Sequence, residues 1–228
     1  KNKKDLQELI AFSLENKTRL VPRTAGTSLA GQCVGPGIIV DVSKHFTEIL
    51  SFDELNRTVT VQPGVNRDDL NVFLAKKGLF FGPNTSTSQY CMMGGMLGNN
   101  SSGTTSIRYG VTRDVVISVD TVLSDGTEAT FAKCSKQEVE DKSKRKTQEG
   151  KIYKSILDEL SISSVQKSIL KDFPDASVHR RNTGYAVDVM LNQKPFNPEG
   201  EEFNIAKLLA GSEGTLAFTT SITFSVVP

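Results

Sequence analysis

The segment Pro83–Gly103, with the sequence PNTSTSQYCMMGGMLGNNSSG, is unlike an ordinary core element of a globular protein. It contains no acidic and no basic side chain, and it offers mainly small side chains, hydroxyls and backbone N–H groups. Glycine allows a backbone to approach a ligand closely, and successive N–H groups at a helix start bind anions without a charged side chain. This second segment, as we call it, predicts half of a cradle for a large phosphate-bearing ligand.

A short helix is predicted inside the second segment, over residues 92–100. Gly94, Gly95 and Gly98 lie within it, and each lowers helix stability by about 1 kcal/mol relative to alanine. An irregular loop closed by a helix of small residues is the simpler interpretation. Three glycines so close together favour a helix that something approaches closely. Asn99–Ser102 then supply amides and hydroxyls without charge.

Two further glycine-rich segments flank predicted strands. The first segment, Arg23–Leu29, lies between strands predicted at 19–22 and 38–42, and its Gly26–Ser28 would present N–H and hydroxyl groups to a diphosphate. Taken alone, it fits a plain surface loop equally well, since it matches neither the Walker loop nor the G-x-G-x-x-G fingerprint. The third segment, Gly211–Phe218, enters the last strand, where a tight turn with a hydrogen-bonded glutamate is the alternative.

Composition excludes several classes of function. With 27 basic and 26 acidic residues the net charge is +1, which argues against nucleic acid because phosphate-backbone binding needs a basic excess. No apolar run approaches the roughly 20 residues of a membrane helix, so we expect no transmembrane segment. The start lacks both a signal-peptide pattern and an initiator Met, so we expect a cytoplasmic protein and a fragment of a larger one.

A metal site is not predicted. Cys33, Cys91 and Cys134 are far apart and form no CxxC pair, and His45 and His179 lack metal-ligand spacing. Reduced thiols in a cytosolic protein are the expected state of the cysteines.

The order of elements predicts an α+β fold in two subdomains. Residues 1–62 are expected to form a small βαβ-type parallel sheet, and residues 63–228 a larger, mainly antiparallel sheet flanked by helices, with the ligand between them. Hairpins are predicted at 48–62 and 115–131, and helices at 5–16, 66–77 and 152–172, the last with a break near 161–164. The charged residues 133–151 predict a solvated loop or insertion.

Taken together and in order, the three segments resemble the FAD-linked oxidases of the vanillyl-alcohol oxidase (PCMH) type. Pro22–Gln32 (PRTAGTSLAGQ) is similar to the family's pyrophosphate loop, although Thr24-Ala25 stand where glycines are usual. The second segment with Arg108–Gly110 (RYG), and Gly211–Leu216 (GSEGTL), are similar to its two other flavin segments. Arg181–Tyr185 (RNTGY) is similar to the branch containing D-lactate, glycolate and D-2-hydroxyglutarate dehydrogenases.

The resemblance implies a non-covalent FAD site built from all three segments. The diphosphate would be wrapped by Arg23, Thr24, Ala25, Gly26, Thr27, Ser28 and Leu29. The diphosphate, ribityl chain and ring would be lined by Pro83, Asn84, Ser86, Gly94, Gly95, Gly98, Asn99, Asn100, Ser102 and Gly103, with Tyr109 nearby. The adenosine end or the flavin edge would be touched by Glu213, Gly214, Ala217 and Phe218.

Two departures from the family pattern shape the expected chemistry. Members with covalently attached flavin often carry a histidine in the first or second segment, and neither contains one here, while Cys91 is expected to be a small buried thiol. The family's substrate-binding and catalytic groups usually lie in a C-terminal cap domain, which is expected to be absent from this chain. No catalytic residue is therefore predicted.

The resemblance implies hydride transfer from C2 of a 2-hydroxy acid to FAD in the intact protein, with little turnover by this fragment. Electrons would pass to an iron–sulfur domain or another acceptor, and a peripheral membrane association of the intact protein stays open. The alternatives are a flavoprotein resembling enolpyruvyl sugar-nucleotide reductases, or a non-enzymatic module that binds a nucleotide or phosphate. The third segment and Arg181–Tyr185 favour the hydroxy-acid branch.

Overall fold

The computed structural model describes residues 1–175, 177–178, 181 and 184–228. Two sheets organise these residues. The smaller sheet is parallel and consists of β1 (Leu20–Arg23) and β2 (Ile38–Asp41). The larger sheet is antiparallel, in the order β3-β4-β7-β5-β6, with strands β3 (Ile49–Asp53), β4 (Thr58–Val61), β5 (Val116–Val122), β6 (Glu128–Phe131) and β7 (Phe218–Ser225).

The last strand, β7, lies at the centre of the larger sheet. Its side chains alternate between the two faces of the sheet. Ile222 and Phe224 point into the main core and are fully buried. On the opposite face Thr223 pairs with Thr60 of β4, with 2.9 Å between the two hydroxyl oxygens. Ile222 is opposite Val61 on one side and Val119 on the other, so the chain's final strand joins both predicted hairpins into one sheet.

Ten helices connect and cover the strands in the described part of the chain. They are α1 (Lys3–Glu15), α2 (Arg67–Ala75), α3 (Met93–Gly98), α4 (Ser106–Tyr109), α5 (Thr112–Val115), α6 (Lys136–Ser143), α7 (Gln148–Leu160), α8 (Ser163–Asp172), α9 (Val187–Leu191) and α10 (Ala206–Leu209). The longest of them contain 13 residues, and none of the described helices combines the length and apolar character needed to cross a membrane.

A second, smaller core joins the two sheets. Leu6 and Ile10 of α1 pack with Val40 at the small sheet and with Val122 and Phe218 of the large sheet. The apolar face of α1 thus packs against both sheets, and it holds the small sheet beside the first residue of β7, Phe218.

The predicted α+β architecture is confirmed, with a small parallel sheet followed by a larger antiparallel one. Residues 24–37, which connect β1 and β2, contain no helix, so the connection is a long loop. The predicted hairpins and the break in the helix near 161–164 are also found. β3 and β4 precede residue 62 yet belong to the larger sheet, so the two sheets divide between Asp41 and Ile49. The division into subdomains 1–62 and 63–228 stays a prediction.

The prediction of a solvated loop at 133–151 is wrong. Ser135 caps α6 through a reciprocal pair of hydrogen bonds with Glu138, and α7 begins at Gln148. One apolar side chain, Val139, anchors α6 in the main core, where it is fully buried along with Tyr153 of α7. A single anchor in a highly charged helix gives almost no periodic signal, and the capping box is what indicates the helix.

Candidate functional site

A single cleft of about 520 Å³ brings the three glycine-rich segments together. Its volume lies within the range of roughly 300–1,000 Å³ that is typical of small-molecule and cofactor sites. Its walls are made by the loop after β1, by the loop and helix α3 of the second segment, and by the turn that enters β7.

Most of the residues predicted for the cofactor line this cleft. They are Arg23, Thr24, Gly26, Thr27, Ser28, Leu29, Ser86, Gly94, Gly95, Gly98, Asn99, Ser102, Glu213, Gly214, Ala217 and Phe218. The sequence did not single out other lining residues, among them Gln32, Cys33, Pro63, Thr85, Met92, Ser212 and Thr219. Thr85, Met92 and Ser212 lie within the segments, and Gln32, Cys33 and Thr219 lie just after a segment. Pro63 is close to none of the segments in sequence.

Six predicted residues lie outside the lining, namely Ala25, Pro83, Asn84, Asn100, Gly103 and Tyr109. Pro83 is buried and Ala25 half-buried, and Tyr109 packs edge-on against Phe80, with their ring centres 5.1 Å apart. Gly103 lies so close to Asn84 that an added Cβ would be 2.1 Å from the Asn84 carbonyl oxygen. These residues support the walls of the cleft, and direct contact with the cofactor stays a prediction for them.

Glycine is needed where the segments touch each other. A Cβ added to Gly95 would lie 2.7 Å from Oγ1 of Thr24, which is far shorter than an ordinary contact and joins the second segment to the first. Gly214, with a φ of +74°, similarly meets Pro22 at 3.0 Å and joins the third segment to the start of the first.

Backbone hydrogen bonds hold the second and third segments together. The Gly211 N–H donates to the Leu97 carbonyl at 3.0 Å, and the Glu213 N–H donates to the Gly98 carbonyl at 2.9 Å. These carbonyls lie at the C-terminal end of α3, where carbonyls lack their usual donor four residues on, and the Leu97 carbonyl also accepts from the Asn100 N–H at 3.0 Å. At the opposite end of α3 the Gly94 N–H donates to the Pro63 carbonyl at 2.8 Å, and Gly94 and Gly95 both line the cleft.

Arg23 is the one cation among the described residues that line the cleft. Its guanidinium folds over Gly26, whose φ is +68° and whose added Cβ would lie 2.9 Å from Nε. That Nε is buried and has no hydrogen-bond partner. A buried donor left unpaired is unfavourable unless a ligand accepts from it, so the first segment fits an anion such as a diphosphate.

Glu213 is the one carboxylate in the lining. It sits at a φ of +52°, which is uncommon for a residue other than glycine. Burial raises the pKa of its carboxyl group, and a hydrogen bond from Gln32 opposes that rise. Gln32 Oε1 is itself buried without a donor, so both side chains present acceptors to a ligand that carries hydroxyl or amino groups.

The loop at the start of the second segment is held by the N-terminus of α2. Asn66 Nδ2 donates to the Gln89 carbonyl at 2.8 Å, and the Arg67 N–H donates to the Cys91 carbonyl at 3.0 Å. The Ser88 hydroxyl donates to the Asp68 carboxylate at 3.1 Å. Asn66 also caps the helix, accepting from the Asp68 and Asp69 N–H groups.

The three cysteines all lie within the described residues, and each is a free thiol. Cys91 is buried, as expected, with its Sγ 3.3 Å from Thr85 Oγ1, and burial raises its thiol pKa. Cys33 is half-buried and lines the cleft. In the described part of the chain no group of three or more His, Cys, Asp or Glu could hold a metal ion; His179 lies outside the described residues.

Comparison with known proteins gives the class of this site. Residues 1–132 match the family model described as "FAD binding domain". The chain is 35% identical over 207 residues to a D-2-hydroxyglutarate dehydrogenase of Pantoea ananatis, covering 91% of this chain and 19% of that protein. It is 39% identical over 127 residues to the glycolate oxidase subunit GlcD of Bacillus subtilis, covering 55% of this chain and 27% of that protein.

Solved structures agree on the fold. Two structures of alkyldihydroxyacetonephosphate synthase superpose with TM-scores of 0.59 and 0.60, at 17% and 18% identity, each over 97% of this chain. They cover 30% and 29% of those chains. At this identity the likeness concerns the fold alone.

The chain therefore has the fold and cleft of a flavin-binding domain. It belongs to the FAD binding domain family of FAD-linked oxidoreductases, and FAD is its cofactor. The residues present fit that group, since the cleft is lined both by Arg23, whose Nε is buried without a partner, and by the glycines of the three segments. The chain spans about a fifth of the length of the D-2-hydroxyglutarate dehydrogenases that it matches.

Proposed function

We propose that this chain holds FAD non-covalently in the cleft and that the intact protein oxidises a 2-hydroxy acid. The observation that carries the proposal is the convergence of the three segments on one cleft, whose lining includes Arg23 with its unpaired Nε. Relatives named for D-2-hydroxyglutarate and glycolate support the substrate class.

Each segment has a distinct task in this proposal. Arg23 and the N–H and hydroxyl groups of Gly26–Ser28 bind the diphosphate, because they combine one charge with several small donors. Gly94 and Gly95 at the start of α3 let the backbone approach the cofactor. Glu213 and Gln32 accept from hydroxyl or amino groups of the cofactor.

Bound FAD supplies the chemistry, which is acceptance of a hydride from C2 of the hydroxy acid. The chain's own residues bind and orient the cofactor and exclude water from one face of it. Among the described residues, the lining contains no histidine or lysine, and Glu213 is its only carboxylate. Because Glu213 also serves the cofactor, we assign the catalytic base to the part of the protein outside this chain.

Attachment of FAD is proposed to be non-covalent because the first and second segments contain no histidine, and none of the described residues that line the cleft is a histidine. The two thiols that do line it, Cys33 and Cys91, differ in exposure, and Cys91 is buried with a raised thiol pKa. A thiol with a raised pKa is a poor nucleophile at neutral pH.

The partners of the intact protein follow from the same proposal. A small 2-hydroxy acid would meet the flavin at a C-terminal cap domain, and electrons would leave to an iron–sulfur domain or another acceptor. We keep the expectation of a cytoplasmic protein, with peripheral membrane association of the intact protein as an open alternative.

The substrate is tested on the intact protein, loaded with FAD. D-2-hydroxyglutarate, D-lactate and glycolate are each added without oxygen, and bleaching of the flavin absorbance near roughly 450 nm is followed. Bleaching by at least one of these acids is expected. Bleaching by NADPH alone, with none by any hydroxy acid, would support the sugar-nucleotide reductase alternative and overturn the substrate proposal.

A further inference from the structure

Arg113 is a buried cation that lies outside the cleft. Its side chain donates to three backbone carbonyls: Nε to Lys207 at 3.0 Å, and Nη2 to Ala210 and, at 3.5 Å, to Gly184. All three carbonyls precede the third segment in the chain. A guanidinium is suited to this task because its donors are fixed in one plane.

The backbone of the same residue is attached to the second segment. The Arg113 N–H donates to Asn100 Oδ1 at 2.8 Å, and the neighbouring Thr112 hydroxyl donates to the Ser101 carbonyl at 2.7 Å. Helix α5 is thus bound to the end of the second segment, and its Arg113 side chain reaches the entrance to the third.

Lys207 makes the reverse connection. It lies on α10, immediately before the third segment, and its Nζ donates to the carbonyls of Arg113 at 2.7 Å and Asp114 at 3.1 Å. Arg113 and Lys207 therefore each donate from the side chain to the other's backbone, and the two helices α5 and α10 are locked together.

This pair lies beside the direct contact between the segments. Gly211, whose N–H bonds to the Leu97 carbonyl, is so near Arg113 that an added Cβ would be 2.6 Å from Nη2. The same Cβ would be 3.6 Å from Cβ of Asn100. The Arg113 side chain thus occupies the space that a side chain at position 211 would need.

We propose that Arg113, together with Lys207, is a positioning residue that sets the separation of the second and third segments and so the fit of FAD between them. The inference rests on the proposed function of the cleft. Without this pair, the two backbone bonds from Gly211 and Glu213 remain between the third segment and the second, beside the packing of α10 and α3 in the main core. A displacement of about 1 Å in such a site is enough to lower binding or rate by about 100-fold.

The test compares Arg113→Met, Arg113→Lys and Lys207→Met with Arg145→Met, which removes an exposed guanidinium from the turn between α6 and α7. Three quantities are measured: FAD affinity from quenching of flavin fluorescence, thermal unfolding without FAD, and the circular dichroism of the flavin band at saturating FAD. The last reports how the flavin is held, and a loss of stability alone does not change it.

We expect Arg113→Met to weaken FAD binding by about tenfold or more and to change the flavin circular dichroism. We expect the FAD affinity of Arg113→Lys to lie between those of Arg113→Met and the wild type, because an ammonium cannot donate as a planar fork. A folded Arg113→Met that binds FAD within about twofold of wild type, with the same circular dichroism, overturns the inference. If Arg113→Met does not fold, the inference is overturned by a folded Lys207→Met whose FAD affinity and flavin circular dichroism match those of the wild type. A wild-type chain that fails to bind FAD instead overturns the proposed function.

Discussion

Gly95 of α3 and Thr24 of the first segment lie against each other at the cleft, so closely that a Cβ on Gly95 would be 2.7 Å from Thr24 Oγ1. This contact ties two parts of the chain that are 71 positions apart in sequence. It places the start of α3 against the loop that is proposed to hold the diphosphate.

Substitution of Gly95 by alanine should therefore change the stability of the folded chain and its FAD affinity in opposite directions. Gly95→Ala favours the helix by up to about 1 kcal/mol, yet its Cβ displaces Thr24 and is expected to lower FAD affinity about tenfold. Gly95→Val should abolish binding. Chemical denaturation and flavin fluorescence measure the two effects.

The double variant Gly95→Ala with Thr24→Ala identifies the cause of the loss of FAD affinity. If displacement of Thr24 is responsible, the double variant regains affinity for FAD. If the new Cβ meets the cofactor itself, the affinity stays low. Unchanged affinity in a folded Gly95→Val would remove this glycine from the proposed site.

Removal of the Arg23 guanidinium should weaken FAD binding without unfolding the chain. A hydrogen bond to a charged group contributes about 1.5–3 kcal/mol, so Arg23→Met is expected to lower affinity by roughly 10- to 100-fold. The salt dependence of binding should also fall. Arg19→Met is the matched control, because Arg19 is exposed and does not line the cleft. Equal losses in the two variants would contradict a specific role for Arg23.

Glu213 should make the chain without FAD less stable as pH rises. The folded-state pKa is raised above the ordinary 4.5, so between the two pKa values the folded state binds more protons than the unfolded state. Stability is then lost as pH increases through that window. Glu213→Gln should raise the unfolding temperature at pH 7, and the difference should vanish at about pH 3.5 and below. A difference that is the same at both pH values would argue against burial of this carboxyl group.

Two helix-capping asparagines allow the support of the second segment to be tested. Asn66 caps α2 and bonds to Gln89, whereas Asn2 caps α1 and accepts from the Asp5 N–H. Loss of either cap by substitution with alanine is expected to destabilise the chain by about 1 kcal/mol. Only Asn66→Ala should also weaken FAD binding, by several-fold. Equal FAD affinities in the two variants would show that the contact with Gln89 is dispensable.

Much of the cleft was predictable because glycine and hydroxyl residues concentrate in segments that are each continuous in sequence. Gly94, Gly95 and Gly214 could be named from the sequence because they are unfavourable in a helix or characteristic of a tight turn. Their contacts with Pro63, Thr24 and Pro22 could not, since these depend on how the sheets pack.

The supporting residues left no comparable signal. Arg113 donates to Lys207, 94 positions away, and nothing in its local sequence distinguishes it from an exposed arginine. Helix α6 was missed because Val139 is its one fully buried apolar residue. The two sheets also divide before the predicted boundary between residues 62 and 63, because β4 pairs with β7, a strand more than 150 positions away in sequence.

Retention of FAD tests the central claim most directly. The purified chain is mixed with excess FAD, passed through a gel-filtration column and scanned in the visible region, then denatured and filtered. We predict a band near roughly 450 nm that elutes with the folded protein at about one FAD per chain and passes the filter after denaturation. A folded chain that elutes without flavin would contradict the account, and flavin that stays with the denatured chain would contradict non-covalent attachment.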